Sequence, residues 1–463
     1  MIRRSIEQLV GMIRGAVPVN AEPGMRIRGV SADTRTLLPG MLYVPLKGSR
    51  FDGHDFLEEA KAKGAAAALW QKGRPLPEHP FPLLLVDDPL RAMQQLAAAY
   101  RNQISARVIG ITGSNGKTTT KDMIASILGT TYKVQKTQGN QNTEIGLPLT
   151  LLGMEENAEM AVLEMGMRGR GQIAELSAIA NPDVAVITLI GEAHLELLGS
   201  REEIARAKLE ILSGLKEGGL LVYNGDDGLI ESLLPEVDKP ANLLKYRFGT
   251  SQTNDLHLTG ILQEEKGLRF TVNTDLEHSY YIPLIGRHNA VNALAAIAVS
   301  KYMGVSTPDI LRGLRDVRIT GMRMELVSGK SGCLIINDAY NASPSSTRAA
   351  IRLLQEMNGY KRKIAVLGDM LELGPEEERF HREIGELLTP EDIQYVRTYG
   401  KLASVIARVC MRTYPPGNVK SYFDKAELAR DLLSLVQPGD VVLVKGSRGM
   451  GLDEVVSRLA ATP

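Results

Sequence analysis

The chain has 463 residues, 44% of them hydrophobic and 23% charged, an ordinary globular composition with room for about three domains, each with its own core. Lys+Arg and Asp+Glu stand at 54 each, which removes any compositional case for a nucleic-acid or anionic-membrane protein. The two cysteines, Cys333 and Cys410, have no CxxC spacing; this excludes a disulfide scaffold and a thiolate zinc site and fits a reducing cytosol.

In chain order, Arg3, Arg4, Glu7 and Arg14 recur where the apolar core of a leader would lie. A cytoplasmic protein is therefore expected. A helical pattern over residues 90–100 closes a first unit, residues 1–103. β-Branched runs at 108–112, 161–164, 184–188 and 220–223 are expected strands of a second unit, residues 104–320. Helical patterns cover residues 202–215 and 309–314. The apolar run 289–300 lies between Arg287 and Lys301 and is too short to span a bilayer. A third unit, residues 321–463, carries expected strands at 364–367 and 441–444. The charged run 376–383 contains Phe380, so it is expected to be a helix with one solvated face. Buried strands separated by helices indicate parallel sheets, and the class is α/β.

The strongest local signal is Gly110-Ile-Thr-Gly113-Ser114-Asn115-Gly116-Lys117-Thr118-Thr119, between a strand and an amphipathic helix. Glycines let the backbone curl so that successive N–H groups face phosphate oxygens, and the helix N-terminus favours an anion. Lys117 would reach the β- and γ-phosphates and Thr118 a Mg²⁺. Ile111 stands where the strict Walker pattern has glycine, so an ordinary glycine-rich strand-to-helix turn is the alternative.

Downstream residues suggest partners for a nucleotide. Glu164 ends a predicted strand beside the phosphate turn, where a carboxylate can hold Mg²⁺ or simply cap a helix. His194 follows another strand and could be a metal ligand or a structural histidine. Lys208 lies in an amphipathic helix, where a lysine is ordinarily solvated. Asn289 opens a helix of small residues, suited either to a purine edge or to capping.

Together, Thr112–Thr119, the Glu164 strand end, the Ala193-His194-Leu pattern, Ala207-Lys208 and Gly286-Arg-His-Asn-x-x-Asn-Ala resemble the Mur ligases. These are ATP-dependent amide-forming enzymes of peptidoglycan synthesis, related to folylpolyglutamate synthases. The likeness runs from about residue 30 to residue 450. The segments 139–152, Asn337-Asp338-Ala-Tyr340-Asn341-Ala-Ser-Pro344, 367–374 and 444–450 are most similar to one branch, which adds D-alanyl-D-alanine to UDP-N-acetylmuramoyl-tripeptide. Thr143 and Ser343 depart from that branch, each standing where asparagine is usual.

The resemblance implies a fold and a site. The fold is a smaller N-terminal α/β domain, a central P-loop-type parallel-sheet domain and a Rossmann-like C-terminal domain. ATP would be held by Gly113 to Thr119, with Asn289 at adenine and Arg323 and Asp338 at ribose and phosphates. Thr118 and Glu164 would serve one Mg²⁺, and His194 with a carbamylated Lys208 a second, making Lys117, His194 and Lys208 catalytic. Ser31, Arg35, Lys47, Gly53 and His54 would hold the UDP-sugar. Asn140, Asn142, Tyr340 and Asn341 would also bind substrate, and Lys445, Ser447 and Arg448 would face the dipeptide side. A monomer is expected, with no nucleic-acid partner and no membrane insertion. The rival readings are a folylpolyglutamate synthase-like or diamino-acid-adding ligase, a switch ATPase or GTPase, and a non-catalytic nucleotide binder.

Overall fold

A computed structural model describes residues 1–461 of the chain. Three larger sheets follow one another in sequence order, with a small ribbon pairing Arg3–Ser5 and Arg26–Arg28. The first sheet runs Val17–Val19, Leu83–Val86, Ala67–Gln71, Leu42–Tyr43, Val30–Ser31; its first pair is antiparallel and the rest parallel. The helix Pro89–Arg101 closes this unit. Asp88 caps it by accepting from Leu90 and Arg91 N–H, and Pro89 opens it. Buried Arg101 donates from Nε to Ala180 O at 2.9 Å, tying this helix to the middle of the molecule.

The second sheet runs Val134–Lys136, Met160–Glu164, Arg107–Thr112, Val184–Ile187, Leu220–Asn224, Leu244–Gly249, all parallel. The expected strands are present, with ends shifted by a residue or two. Ile111, Val162, Val186 and Val222 are fully buried between helices on the two faces. Each buried aliphatic side chain contributes about 1.5–3 kcal/mol, so the sheet is a rigid base for the turns at its carboxyl edge. On one face lie the helices Lys117–Leu128 and Arg287–Tyr302; on the other lie Gln172–Ala180 and Arg201–Leu209. The expected helix over 202–215 is helical only to Leu209 and continues as a 3₁₀ turn, Glu210–Gly214.

The sheet also extends through Leu256–Glu264 into antiparallel Gly267–Val272 and Asp275–Ile282. These strands were not expected. The middle strand alternates, with Leu268, Phe270 and Val272 inward and Arg269 outward, and Leu256–Glu264 is mostly solvent-facing, so neither has the continuous apolar run that marks the parallel strands.

The third sheet runs Glu325–Ser328, Leu334–Asp338, Asp440–Lys445, Arg362–Gly368, Tyr395–Tyr399, Val419–Tyr422. Only its first pair is antiparallel. The last strand of the chain inserts between Leu334–Asp338 and Arg362–Gly368, which sets Lys445 opposite Asp338. The charged run forms the helix Glu377–Glu386 with Phe380 and Ile384 buried, and His381 is buried beside them. Among the described residues, no helix is long and apolar enough to cross a membrane.

Candidate active site

Strand Arg107–Thr112 lies between Met160–Glu164 and Val184–Ile187, so the turn after Thr112 emerges beside the ends of both neighbours. Gly113 has φ +145° and Gly116 φ +83°, and a Cβ at either would run into Thr188 or Asn292. Only glycine suits such backbone. Thr188 Oγ1 donates to Asn115 O at 2.5 Å, and Gly191 N–H donates to Ser114 Oγ at 3.0 Å. The turn is thus braced from the neighbouring strand end. Lys117 opens the helix and folds over the turn, donating to Gly113 O at 2.7 Å. Burial holds its pKa below the usual lysine range, and Arg323 adds to that effect.

Thr118 Oγ1 donates to Glu164 Oε2 at 2.8 Å, and Asn142 Nδ2 to Glu164 Oε1 at 2.8 Å. Glu164 is 2% exposed, and no lysine or arginine of the described residues lies within ion-pairing distance of it. Lys208 is 1% exposed and is likewise without an acidic partner at that distance. Its pKa is pushed well below the lysine range, first by burial and then by Lys117. His194 Nδ1 lies 2.6 Å from Glu372 Oε2. Burial, then Lys208, lowers the His194 pKa to about 4, although Glu372 opposes the shift.

Among the described residues, no three His, Cys, Asp or Glu side chains are grouped closely enough to cage a metal. A buried carboxylate with no cation at ion-pairing distance, touching a hydroxyl, nevertheless fits Mg²⁺, which keeps several waters and takes phosphate oxygens as ligands. A lysine ammonium cannot ligate a cation. An uncharged Lys208 amine, by contrast, is the form that can accept carbon dioxide and become an anionic oxygen donor.

A cleft of about 1220 Å³ joins Lys117, Thr118, Glu164 and His194 to the third sheet, whereas buried Lys208 is not part of its lining. Asn140, Asn142, Glu164, His194, Asn289, Arg323, Asp338, Tyr340, Asn341, Lys445, Ser447 and Arg448 all line it. Some of the expected partners are already paired there. Lys445 Nζ donates to Asp338 Oδ2 at 2.5 Å and to Asn341 O at 3.0 Å, so lysine and aspartate neutralise each other. Ser447 Oγ donates to Ala342 O and accepts from Leu371 N–H, a structural use of its hydroxyl. Asn289 Nδ2 donates to Ile285 O within the helix entrance. The Arg323 and Arg448 guanidinium carbons lie 4.0 and 5.6 Å from the Tyr340 ring centre.

The five expected N-terminal residues do not line this cleft. His54, expected at a ligand, is buried in its own domain. Its Nδ1 pairs with Asp52 at 2.7 Å, its Nε2 accepts from Gln71 N–H, and its ring sits edge-on to Trp70 at 4.8 Å. Gly53 is packed against the Leu46 backbone, and Ser31 is buried against Asp33 O and Thr36. Arg35 forks onto Asp33 at the surface, and Lys47 is exposed.

Contacts between the central and C-terminal units were not anticipated residue by residue. Asn115 Nδ2 donates to Ser345 Oγ at 2.9 Å and to Ser343 Oγ at 3.2 Å. Ser343, one of the departures noted above, also caps the helix Pro344–Glu356. Glu192 accepts from Arg348 at 2.9 Å and from Ser345 N–H at 3.1 Å. Glu372 lies inside the segment 367–374 that carried part of the resemblance, but nothing in a linear pattern points it at His194.

Comparison with known proteins adds to this geometry. Residues 26–101 match the model described as "Mur ligase family, catalytic domain", 111–300 the "Mur ligase middle domain", and 322–448 the "Mur ligase, glutamate ligase domain". The chain is 48% identical over 463 residues to the UDP-N-acetylmuramoyl-tripeptide–D-alanyl-D-alanine ligase of Bacillus subtilis (strain 168), covering 100% of both. A crystal structure of MurF from Acinetobacter baumannii superposes with TM-score 0.88 at 31% identity, over 99% of this chain and 98% of that one. MurF from Thermotoga maritima, in complex with ADP, gives 0.81 at 31% identity over 93% and 96%.

Proposed function

The chain belongs to the Mur ligase family, and from that premise we propose that it joins D-alanyl-D-alanine to UDP-N-acetylmuramoyl-tripeptide at the expense of ATP. End-to-end similarity to a relative named for that reaction carries the reading. The arrangement of Lys117, Thr118, Glu164 and His194 on one cleft, with Thr118, Glu164 and Lys208 buried, supports it.

A carboxylate does not react with an amine at neutral pH, because its oxygen is a poor leaving group. In the proposed reaction a carboxylate oxygen of the tripeptide attacks the γ-phosphorus of ATP, and ADP leaves with the bridging electron pair. The free amine of the dipeptide then attacks the acyl phosphate carbon, phosphate leaves, and the nitrogen sheds a proton. The first step brings two anions together, so the protein must concentrate positive charge and aligned N–H groups there. The turn Gly113 to Lys117 supplies both, and Lys117 swings from Gly113 O to the phosphates. Thr118 and Glu164 would hold one Mg²⁺; His194 and a carbamylated Lys208 would hold another. Bound there, the ions screen the phosphate charge and polarise the transferred group. Closure of the C-terminal unit, through contacts such as Asn115–Ser345, would keep water from the acyl phosphate.

We assign residues 1–103 to the UDP-sugar, 104–320 to ATP, and 321–463 to the dipeptide and part of ATP. Arg448, exposed at the cleft with its guanidinium beside Tyr340, is suited to the dipeptide carboxylate. We place the enzyme in the cytoplasm as a monomer without nucleic-acid partners. The test is phosphate release with ATP and Mg²⁺, with UDP-muramoyl-tripeptide, with and without D-alanyl-D-alanine, and with product mass measured. Release that needs both acceptors, with a pentapeptide product, is expected. Release with neither would refute the ligase reading in favour of a switch ATPase. Release with the shorter precursor plus a diamino acid would move the protein to another branch.

A further inference from the structure

We propose that Glu372, delivered by the C-terminal unit, is a positioning residue: its carboxylate orients the His194 ring so that Nε2 alone faces the reaction centre, making the second cation site complete only when the two units are closed. This rests on the ligase reading above.

The geometry is specific. The 2.6 Å contact joins His194 Nδ1 to Glu372 Oε2 across 178 residues of sequence. A carboxylate takes the Nδ1 proton of a neutral imidazole in a hydrogen bond and leaves the Nε2 lone pair free, the arrangement in which histidine ligates cations. Both residues carry left-handed backbone, His194 at φ 67° and Glu372 at φ 63°. Such a conformation costs a non-glycine residue free energy and persists where surrounding structure enforces it.

That structure is present on both sides of the contact. Glu196 N–H donates to Glu372 O at 3.1 Å, a backbone contact between the units right beside the side-chain pair. Gly374, at φ +63°, fits against Glu196, where a Cβ would crowd its Cα. The loop bearing Glu372 is fastened to its own domain at its base. Met370 N–H donates to His381 Nε2 and Leu371 N–H to Ser447 Oγ. Asp369 Oδ1 accepts from Ala403 N–H at 2.7 Å. Glu372 therefore travels with the C-terminal unit as a body. The Glu192–Arg348 ion pair bridges the same two units and holds them independently of His194. Loss of Glu372 thus need not open the cleft.

The test uses the full chain with Glu372→Ala, Glu372→Gln and, as a control on docking alone, Glu192→Gln. Mn²⁺ is titrated by electron paramagnetic resonance in the presence of a non-hydrolysable ATP analogue and UDP-muramoyl-tripeptide, and ligation kinetics are measured in parallel. Two ions are expected in the wild type. Glu372→Ala should weaken the second by about 10- to 100-fold, the usual effect of losing such an outer partner, and leave the first unchanged. kcat should fall by a similar factor with little change in the KM for ATP. Glu372→Gln keeps an acceptor oxygen and should recover most of the loss; Glu192→Gln should leave both ions as they are. The inference is overturned by a wild type that binds one ion, by Glu372→Ala binding both ions normally or losing both equally, by Glu372→Gln no better than Glu372→Ala, or by Glu192→Gln losing the second ion. A wild type that binds nucleotide and metal but never ligates refutes the ligase reading instead.

Discussion

Replacing Lys208 by methionine should stabilise the folded protein and abolish its activity. The side chain is 1% exposed, lacks an acidic partner, and has its pKa pushed well below the usual range by burial and by Lys117. In the unfolded chain the amine titrates normally, at about 10.4. Between the folded and unfolded pKa values the unfolded state therefore carries one more proton. Wild-type stability must rise with pH there, by up to about 1.4 kcal/mol per pH unit, and fall as pH drops. Methionine has no such dependence and fills nearly the same volume. Lys208→Met should be the more stable protein near neutrality, with an advantage that shrinks steadily toward alkaline pH. Bicarbonate should narrow it further, because carbamate forms on the neutral amine of the folded chain and binding to the native state stabilises it. The assay is urea unfolding of both proteins at several pH values between about 6 and 9, with and without bicarbonate. Parallel pH profiles for the two proteins would refute the buried neutral amine, and with it the chemistry proposed for Lys208.

Lys117→Ala should reduce ATP-dependent ligation by at least about 100-fold, the usual effect of removing a group aimed at developing charge; near-normal turnover in a phosphate-release assay would dismiss the site. Gly113→Ala places a Cβ against Thr188 at φ +145°, where backbone strain alone costs about 1–3 kcal/mol; calorimetry should show a lower melting temperature, and nucleotide titration a weaker complex. Ser345→Ala removes a neutral hydrogen bond from Asn115 across the cleft, worth about 1 kcal/mol, so KM for ATP should rise no more than about fivefold in steady-state kinetics. Small-angle scattering should show compaction when ATP and UDP-muramoyl-tripeptide are added together, and an unchanged radius of gyration would argue against closure.

What the sequence determined by itself was local. A strand feeding Gly113 to Thr118 into a helix needs only neighbouring residues, because its backbone curl and helix start are set within one short stretch. The apolar runs leading into Thr112 and Glu164 marked the parallel strands for the same reason: both faces are buried, so every position of each run before those strand ends lacks a polar side chain. The strands from Leu256 to Ile282 escaped notice because one face meets water. Tertiary structure alone decided which polar groups meet. Lys445 finds Asp338 across 107 residues because the last strand inserts beside Leu334–Asp338, and Glu372 finds His194 only when two units dock. His54 turned inward because Asp52, Gln71 and Trp70 fold around it. A side chain's type limits what it can do, whereas its burial and its partner, set by distant segments, decide what it does.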